Sequence, residues 1–163
     1  MSFLLSICIP TFNRSSFLEK TLESITSDQF FRDHLDIEIV ISDNCSTDDT
    51  RNVVSEFESQ FPKRIQYFRN EKNIADLNFD RVLRHGQGEF LKLINDSALW
   101  RAGALRSIYE LVLANQKSKP VLFWLNGMKK TEAECVALAG IDEFVKHASF
   151  YMGWIGAFGL WKE

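Results

Sequence analysis

Short apolar runs alternate along the chain with segments whose apolar residues recur at helical spacing. Such alternation is typical of a parallel sheet that is covered by helices on both faces. The pattern predicts strands at 4–9, 37–41, 65–68, 90–94 and 121–125. We therefore expect an α/β fold, a Rossmann-type sandwich whose central sheet is mostly parallel and flanked by helices.

The helices between these strands are predicted from their apolar spacing and from their end signals. Ser16 and Glu19 form a capping-box pattern, and Leu22 and Ile25 follow at helical spacing. Pro10 has no amide hydrogen, so we expect it to end the first strand. Further helices are predicted around 53–61, 77–83, 102–113, 131–139 and 141–147.

Length and charge restrict the class of protein. A chain of 163 residues suits one domain, and 45% hydrophobic with 25% charged residues is ordinary for a globular protein. Disorder, collagen and coiled coil are therefore excluded. The net charge is −3, with 19 basic against 22 acidic residues, and this argues against nucleic acid as a partner.

The cysteines and the two apolar ends bear on the compartment. Cys8, Cys45 and Cys135 are widely spaced, so the sequence indicates neither a zinc site nor a disulfide framework, and we expect a cytoplasmic protein. Residues 1–10 lack a basic leader and are expected to form the first strand. The aromatic run 150–161 is too short to span a bilayer, and it suits a membrane interface or a protein contact.

Polar residues follow three of the predicted strands, at 11–14, 43–49 and 95–97. In an open parallel sheet, ligands bind outside the carboxyl ends of the strands, near the point where strand order reverses. These three loops are therefore the places where we expect chemistry.

Each loop allows a functional and an ordinary interpretation. Asp43 can accept a hydrogen bond from a nucleobase and Asn44 can both donate and accept, but the same residue types also form turns and helix caps. Asp96 provides the oxygen ligand that Mg²⁺ or Mn²⁺ prefers, although Asn-Asp-Ser is also a common turn. Thr11, Asn13 and Arg14 can contact phosphate or ribose, or can belong to an ordinary polar loop.

In combination, the three motifs are more specific. SICIPTFNR at 6–14, IVISDNCSTDDT at 39–50 and GEFLKLINDS at 88–97 occur in this order. The chain thereby resembles the family 2 glycosyltransferases of GT-A fold, over roughly residues 3–115. The resemblance implies transfer of a sugar from a nucleotide-sugar, a UDP-sugar, to a glycan or lipid-linked acceptor in surface polysaccharide synthesis.

The resemblance also implies roles for individual residues. Thr11 and Asn13 match positions that line the uridine pocket, Asp43 matches the acid that reads the base, and Asp76 falls near a helix start that helps to hold the donor. Asn95, Asp96 and Ser97 occupy the place of the metal-binding DxD element, with Asp96 and Ser97 as the implied ligands of Mg²⁺ or Mn²⁺. The implied nucleotide-sugar site comprises Thr11, Asn13, Arg14, Asp43, Asn44, Asp76, Asn95 and Asp96.

The chain departs from the family pattern in two respects. Asp96 is the only acid in its motif, so metal affinity is expected to be weakened. No recognisable general base follows it, which leaves the catalytic residue unknown and suggests truncation at the C-terminus. We expect a single domain over 1–163, with a donor-binding core at 1–115 and part of an acceptor-side region at 116–163.

Two alternatives follow from the same residues. A truncated or degenerate relative would bind nucleotide or a partner without catalysing transfer. A dinucleotide-dependent oxidoreductase is disfavoured because the first strand is followed by PTFNR and no GxGxxG motif. The apolar run 150–161, lacking cover, predicts a homodimer, and peripheral contact would place the chain at the inner face of the membrane.

Overall fold

The computed structural model describes residues 2–120, 122–123 and 158–162. Helices and strands alternate over these residues, as the apolar pattern predicts. The strands are β1 (Leu5–Thr11), β2 (Ile37–Asp43), β3 (Ile65–Arg69), β4 (Phe90–Leu93), β5 (Leu122–Phe123) and β6 (Phe158–Trp161). The helices are α1 (Ser15–Thr26), α2 (Gln29–Asp33), α3 (Thr50–Gln60), α4 (Leu77–His85) and α5 (Ala104–Asn115).

These strands form one sheet in the order β3-β2-β1-β4-β6-β5. The strands β1 to β4 are parallel, and β6 pairs antiparallel with β4 and β5. The expected α/β fold with a mostly parallel sheet is confirmed. Because the chain passes from β1 outward to β3 and then returns to β4, strand order reverses between β1 and β4, where ligands bind in such sheets.

The strands β1 and β2 are buried along their whole length, because helices cover the sheet. Ile7 and Ile39 belong to the larger apolar core, which also holds Leu18 and Leu22 of α1. Val82 of α4 belongs to a smaller cluster with alternate residues of β1 and β2. Burial on both faces fixes the positions of the strand ends, and with them the loops that follow.

The prediction that Pro10 ends the first strand is wrong. Pro10 pairs in register with Ser42, and β1 continues to Thr11. Cys8, two residues earlier, faces β4 and accepts a hydrogen bond from the amide of Ile94. Pro10 therefore faces the same way, beyond the last residue of β4 in the ladder, where no amide hydrogen is needed.

The predicted capping box at Ser16 is also wrong. The helix begins one residue earlier, and Arg14 at its N-cap makes no side-chain capping bond. Instead, the amide of Ser15 donates to Asp48 Oδ2 at 2.8 Å. A residue from the loop after β2 thus caps α1, which local sequence spacing could not reveal.

Several other elements differ from the sequence pattern. The short helix α2 was not predicted; Asp28 caps it by accepting from the amide of Phe30. Of the predicted strand 121–125, the structure describes Leu122–Phe123. The helices predicted at 131–139 and 141–147 lie outside the described residues.

Part of the apolar run 150–161 lies inside the sheet. Its last residues form β6, and Trp161 packs edge-on against Phe90 with ring centroids 5.0 Å apart. The chain itself thus covers this part of the run, and the homodimer stays a prediction. Every helix within the described residues is too short or too polar to cross a membrane.

Lys92 is buried on β4, with 2% of its surface exposed, and burial lowers its pKa to about 7. Between pH 7 and pH 10 the unfolded chain holds a proton that the folded lysine has lost, so the free energy of unfolding rises with pH. We expect Lys92→Met to reduce this rise by on the order of 3 kcal/mol over that range. Urea unfolding of both proteins across the range measures it, and parallel pH profiles would contradict the prediction.

Candidate functional site

The ends of β1, β2 and β4 bring together three loops that are distant in sequence. The amide of Asn44 donates to the carbonyl of Thr11 at 2.9 Å. The hydroxyl of Thr11 donates to Asp96 Oδ2, also at 2.9 Å. Thr11 therefore links the loop that carries Asp43 to the loop that carries Asp96.

Asp43 is held at the end of β2, with 1% of its surface exposed. Its Oδ1 accepts from the amide of Ser46 at 2.9 Å, and its Oδ2 accepts from the Tyr67 hydroxyl. Burial, together with this hydrogen bond, raises the pKa of Tyr67 above its usual range, so the hydroxyl remains a donor. A carboxylate accepts about four hydrogen bonds, which leaves Asp43 acceptor capacity for a ligand.

A half-exposed arginine lies over the same carboxylate. Arg69 Nε is 3.7 Å from Asp43 Oδ2, and 45% of the arginine side chain is exposed. One of its terminal nitrogens donates to the carbonyl of Ser46 at 3.0 Å. Arg69 thus compensates the charge of Asp43 and forms part of the wall of the site.

Asn13 joins the first loop to the second. Its Oδ1 accepts from the amide of Thr47 at 2.7 Å, and its own amide donates to the hydroxyl of Ser46 at 2.8 Å. Asn13 adopts a positive φ of 51°, which asparagine tolerates better than most residues. Its exposed side chain therefore shapes the mouth of the site.

The carboxamide of Asn44 is used up by contacts inside the protein. Its Nδ2 donates to Asn73 Oδ1 at 2.8 Å and to the carbonyl of Ala75 at 3.3 Å. Its Oδ1 accepts from the amide of Ile74 at 2.8 Å and from Asn70 Nδ2 at 3.2 Å. With both hydrogens and both lone pairs engaged, and 5% of the residue exposed, Asn44 anchors the turn 73–76.

That turn presents Asp76 at the start of α4. Asp76 is exposed and makes no capping bond to the helix. Asn78, on the first turn of α4, is buried and bonds to both the hydroxyl and the carbonyl of Ser42. The helix start is thus fixed to the end of β2, with the Asp76 carboxylate directed to solvent at its N-terminus.

Ala75 has a positive φ of 50°, a backbone region that favours glycine. We expect Ala75→Gly to raise the free energy of unfolding by about 0.5–1 kcal/mol, because the strain is relieved. Ala114, exposed in the last turn of α5, is the matched control, and Ala114→Gly is expected to lower it, by less than the roughly 1 kcal/mol of a helix-interior position. Urea unfolding measures both, and a loss of stability in Ala75→Gly would contradict the prediction.

Asp96 is the buried acid of the third loop. Besides the bond from Thr11, its Oδ1 lies 3.3 Å from Arg14 Nε, and its backbone carbonyl accepts from the hydroxyl of Thr21 at 2.8 Å. Burial raises the pKa of Asp96, against the opposing effects of Thr11 and Arg14. Its neighbours Asn95 and Ser97 are exposed.

The third loop offers a partial ligand set for a divalent cation. Mg²⁺ is commonly held by one or two carboxylates together with substrate phosphates and water. Asp96 supplies one carboxylate, and Asn95 and Ser97 add neutral oxygens. No cluster of three acidic, histidine or cysteine ligands occurs among the residues that the structure describes. The residues therefore fit a metal ion only if the ligand's phosphates complete its coordination.

Sequence reasoning missed the contribution of β3. Tyr67 and Arg69, near the carboxyl end of this strand, contact Asp43, and Asn70 bonds to Asn44. The rule that selected the other three strand ends applies equally to β3, because it is parallel to β2 and adjacent to it. The alternating pattern of 65–68 was the available signal.

This sheet, with polar loops at the ends of β1, β2 and β4, is that of the GT-A glycosyltransferases. One similar solved structure is Staphylococcus aureus TarS 1-349 in complex with UDP-GlcNAc, with a TM-score of 0.61, 20% identity, and coverage of 80% of this chain and 37% of that chain. Another is the mannosyltransferase PcManGT from Pyrobaculum calidifontis in complex with GDP-Man and Mn²⁺, with a TM-score of 0.57, 23% identity, and coverage of 69% and 32%.

The chain belongs to glycosyl transferase family 2, whose model matches residues 6–132. A similar relative is the GalNAc(5)-diNAcBac-PP-undecaprenol beta-1,3-glucosyltransferase of Campylobacter jejuni, 36% identical over 108 residues. The match covers 65% of this chain and 33% of the relative, so the chain spans about a third of that protein's length. The family resemblance that the three motifs indicated is confirmed.

Proposed function

We propose that this chain is the donor-binding part of a glycosyltransferase that moves a sugar from a UDP-sugar to a glycan or lipid-linked acceptor in surface polysaccharide synthesis. The observation that carries the proposal is the linked pair of buried carboxylates, Asp43 and Asp96, at neighbouring strand ends. Asp43 has acceptor capacity for a base, and Asp96 lies where strand order reverses. Family membership supplies the reaction class.

The base is read by Asp43. Its carboxylate accepts the imide N–H of uracil, a donor that cytosine lacks at the corresponding ring nitrogen. Tyr67 and the amide of Ser46 hold the carboxylate in place. Thr11 and Asn13 line the nucleoside pocket from the loop after β1.

The donor diphosphate lies between Arg14 and the third loop. Asp96 and Ser97 would hold Mg²⁺ or Mn²⁺, with Asn95 beside them, and the ion would stabilise the negative charge of the leaving nucleoside diphosphate. Thr11 orients the Asp96 carboxylate through its hydroxyl. Asp76, exposed at the start of α4, helps to hold the donor.

The acceptor side belongs to residues 116–163. Within this division, residues 1–115 form the donor-binding core. The Campylobacter relative has a name that specifies an undecaprenol-linked acceptor. A lipid-linked acceptor of this kind places the protein in the cytoplasm at the inner face of the membrane, in peripheral contact with it.

Calorimetric titration with UDP, then UDP-sugars, with CDP as the comparison, tests the proposal. Each titration is run with Mn²⁺ and again with EDTA. We expect UDP to bind at least about tenfold more tightly than CDP, because the corresponding ring nitrogen of cytosine has no hydrogen to donate to Asp43. Equal affinity for the two nucleotides would overturn the base assignment, and no binding of UDP in any condition would overturn the function.

A further inference from the structure

Arg14 is held between a carboxylate and an aromatic ring. Its Nε lies 3.3 Å from Asp96 Oδ1, and its guanidinium carbon lies 4.8 Å from the centroid of the Phe17 ring. Phe17 is 52% exposed on the first turn of α1, so its ring packs against the cation instead of the core. Stacking on an aromatic face orients a guanidinium group and stabilises it.

The carboxylate of Asp96 is therefore already compensated before any ligand arrives. Thr11 donates to one oxygen, and Arg14 lies against the other. The other buried acid of the site, Asp43, has its own cation in Arg69. Asp96 is 92% buried by side-chain area, since 8% is exposed, and a nearby positive charge counts for more there than in water.

We propose that Arg14 is the resident counter-ion of Asp96 and competes with a divalent cation for this carboxylate. A metal ion that approaches Asp96 must displace or tolerate the guanidinium, so its binding in the absence of nucleotide is weak. The diphosphate of the donor attracts the same guanidinium, whose side chain is 46% exposed. Guanidinium and phosphate form bidentate hydrogen bonds, and this exchange frees Asp96 for the ion.

The exchange of Arg14 from Asp96 to the donor diphosphate rests on the proposed function, which assigns the diphosphate to this part of the site. The competition between Arg14 and a metal ion for Asp96 does not depend on it. Together they mean that the negative charge of the diphosphate is compensated by both Arg14 and a metal ion. Asp96 is the only acid in its motif, and the positive charge of Arg14 makes up for the weaker metal binding that follows from this.

The first experiment measures Mn²⁺ binding without nucleotide, by electron paramagnetic resonance. We expect Arg14→Gln to bind Mn²⁺ at least about tenfold more tightly than the unaltered protein, because a positive charge is removed next to Asp96. Arg84→Gln is the control, since Arg84 forms an exposed ion pair with Asp80 at the far end of α4. Unchanged or weaker Mn²⁺ binding in Arg14→Gln would overturn the competition.

The second experiment titrates UDP and uridine in EDTA. We expect Arg14→Gln to lower the affinity for UDP by about tenfold and to leave uridine binding unchanged, because uridine has no phosphate. Arg14→Lys keeps the positive charge but cannot form two parallel hydrogen bonds to a phosphate. We therefore expect its UDP affinity to lie between that of the unaltered protein and that of Arg14→Gln. An unchanged UDP affinity in Arg14→Gln would overturn the role of Arg14, whereas failure of the unaltered protein to bind UDP with or without metal would overturn the proposed function instead.

Discussion

Asp43→Asn is expected to lower the affinity of the chain for UDP by at least about 100-fold. This is a larger loss than we expect from any other variant of the site. The carboxylate oxygens of Asp43 are acceptors only, and they are fixed by the Ser46 amide and the Tyr67 hydroxyl. In the variant, the amide oxygen stays on Ser46, and the amide nitrogen turns a donor toward the imide N–H of the base. Two donors then face each other in a buried place, and the charge that strengthened the bond is lost.

The variant is designed to keep the fold. An asparagine has the shape of Asp43, and the Tyr67 hydroxyl accepts from the new amide as readily as it donated to the carboxylate. Arg69 loses the charged partner but keeps its hydrogen bond to the Ser46 carbonyl, and nearly half of its side chain is exposed and remains hydrated. We therefore expect a change in the free energy of unfolding below about 1 kcal/mol, so that weakened binding reports on recognition alone.

Asp49→Asn is the matched control for charge. Asp49 lies in the same loop after β2, is exposed, and accepts a hydrogen bond from Asn52 on α3. Its UDP affinity, measured by the same calorimetric titration, is expected to equal that of the unaltered chain. UDP binding by Asp43→Asn within threefold of the unaltered chain would contradict the base-reading role.

Each of the two buried carboxylates of the site is paired with a partly exposed arginine. Asp43 has Arg69 and Asp96 has Arg14, and both arginine side chains are close to half exposed. Each acid is compensated before a ligand binds, and each cation can turn toward an incoming nucleotide. The net charge of −3 gives no sign of this arrangement, because the pairing is local to the strand ends.

The fold could be predicted from the sequence because its strongest signals are local. Strands buried on both faces give continuous apolar runs, and helices that cover them give apolar spacing of 3.6 residues. The predictions were wrong where a residue distant in sequence determines the local structure. Asp48 caps α1 from another loop, and Pro10 is tolerated because β4 ends beside it.

The candidate site was predictable to the level of its loops. Strand-end position predicted the neighbourhood of Thr11, Asp43 and Asp96, which the hydrogen bonds bring together. The sequence could not assign a role to Asn44, because a carboxamide at this position can either bind a ligand or stabilise a turn. Its partners lie 26 to 31 residues away along the chain, and only the folded structure shows that they use all its hydrogen-bonding capacity.

Asn44→Ala is expected to lower the free energy of unfolding by about 3 kcal/mol, the larger of the stability effects. Asn70 keeps its bond to Asn78, and Asn73 keeps its bond from the Ala75 amide. The amide of Ile74 and the carbonyl of Ala75 lose the partners that Asn44 provides, and a cavity replaces the carboxamide. For a chain of this length the loss corresponds to a melting temperature lowered by about 6–12 °C.

Two further variants separate hydrogen bonding from packing. Asn44→Asp keeps the shape, but its second oxygen faces the acceptors Asn73 Oδ1 and the Ala75 carbonyl, so we expect it to be at least as unstable as Asn44→Ala. Asn52→Ala, on the exposed face of α3, is expected to change the free energy by less than about 0.5 kcal/mol. Thermal unfolding of all three proteins measures these differences.

The same variants decide what Asn44 does for the nucleotide. If its role is to anchor the turn 73–76, Asn44→Ala that is still folded at low temperature binds UDP about tenfold less tightly, because the turn that carries Asp76 is no longer held to the loop after β2. If Asn44 instead contacted the base directly, UDP affinity would fall while the melting temperature stayed that of the unaltered chain. That second result would contradict the anchoring role, since four internal hydrogen bonds cannot be removed from a buried side chain without cost.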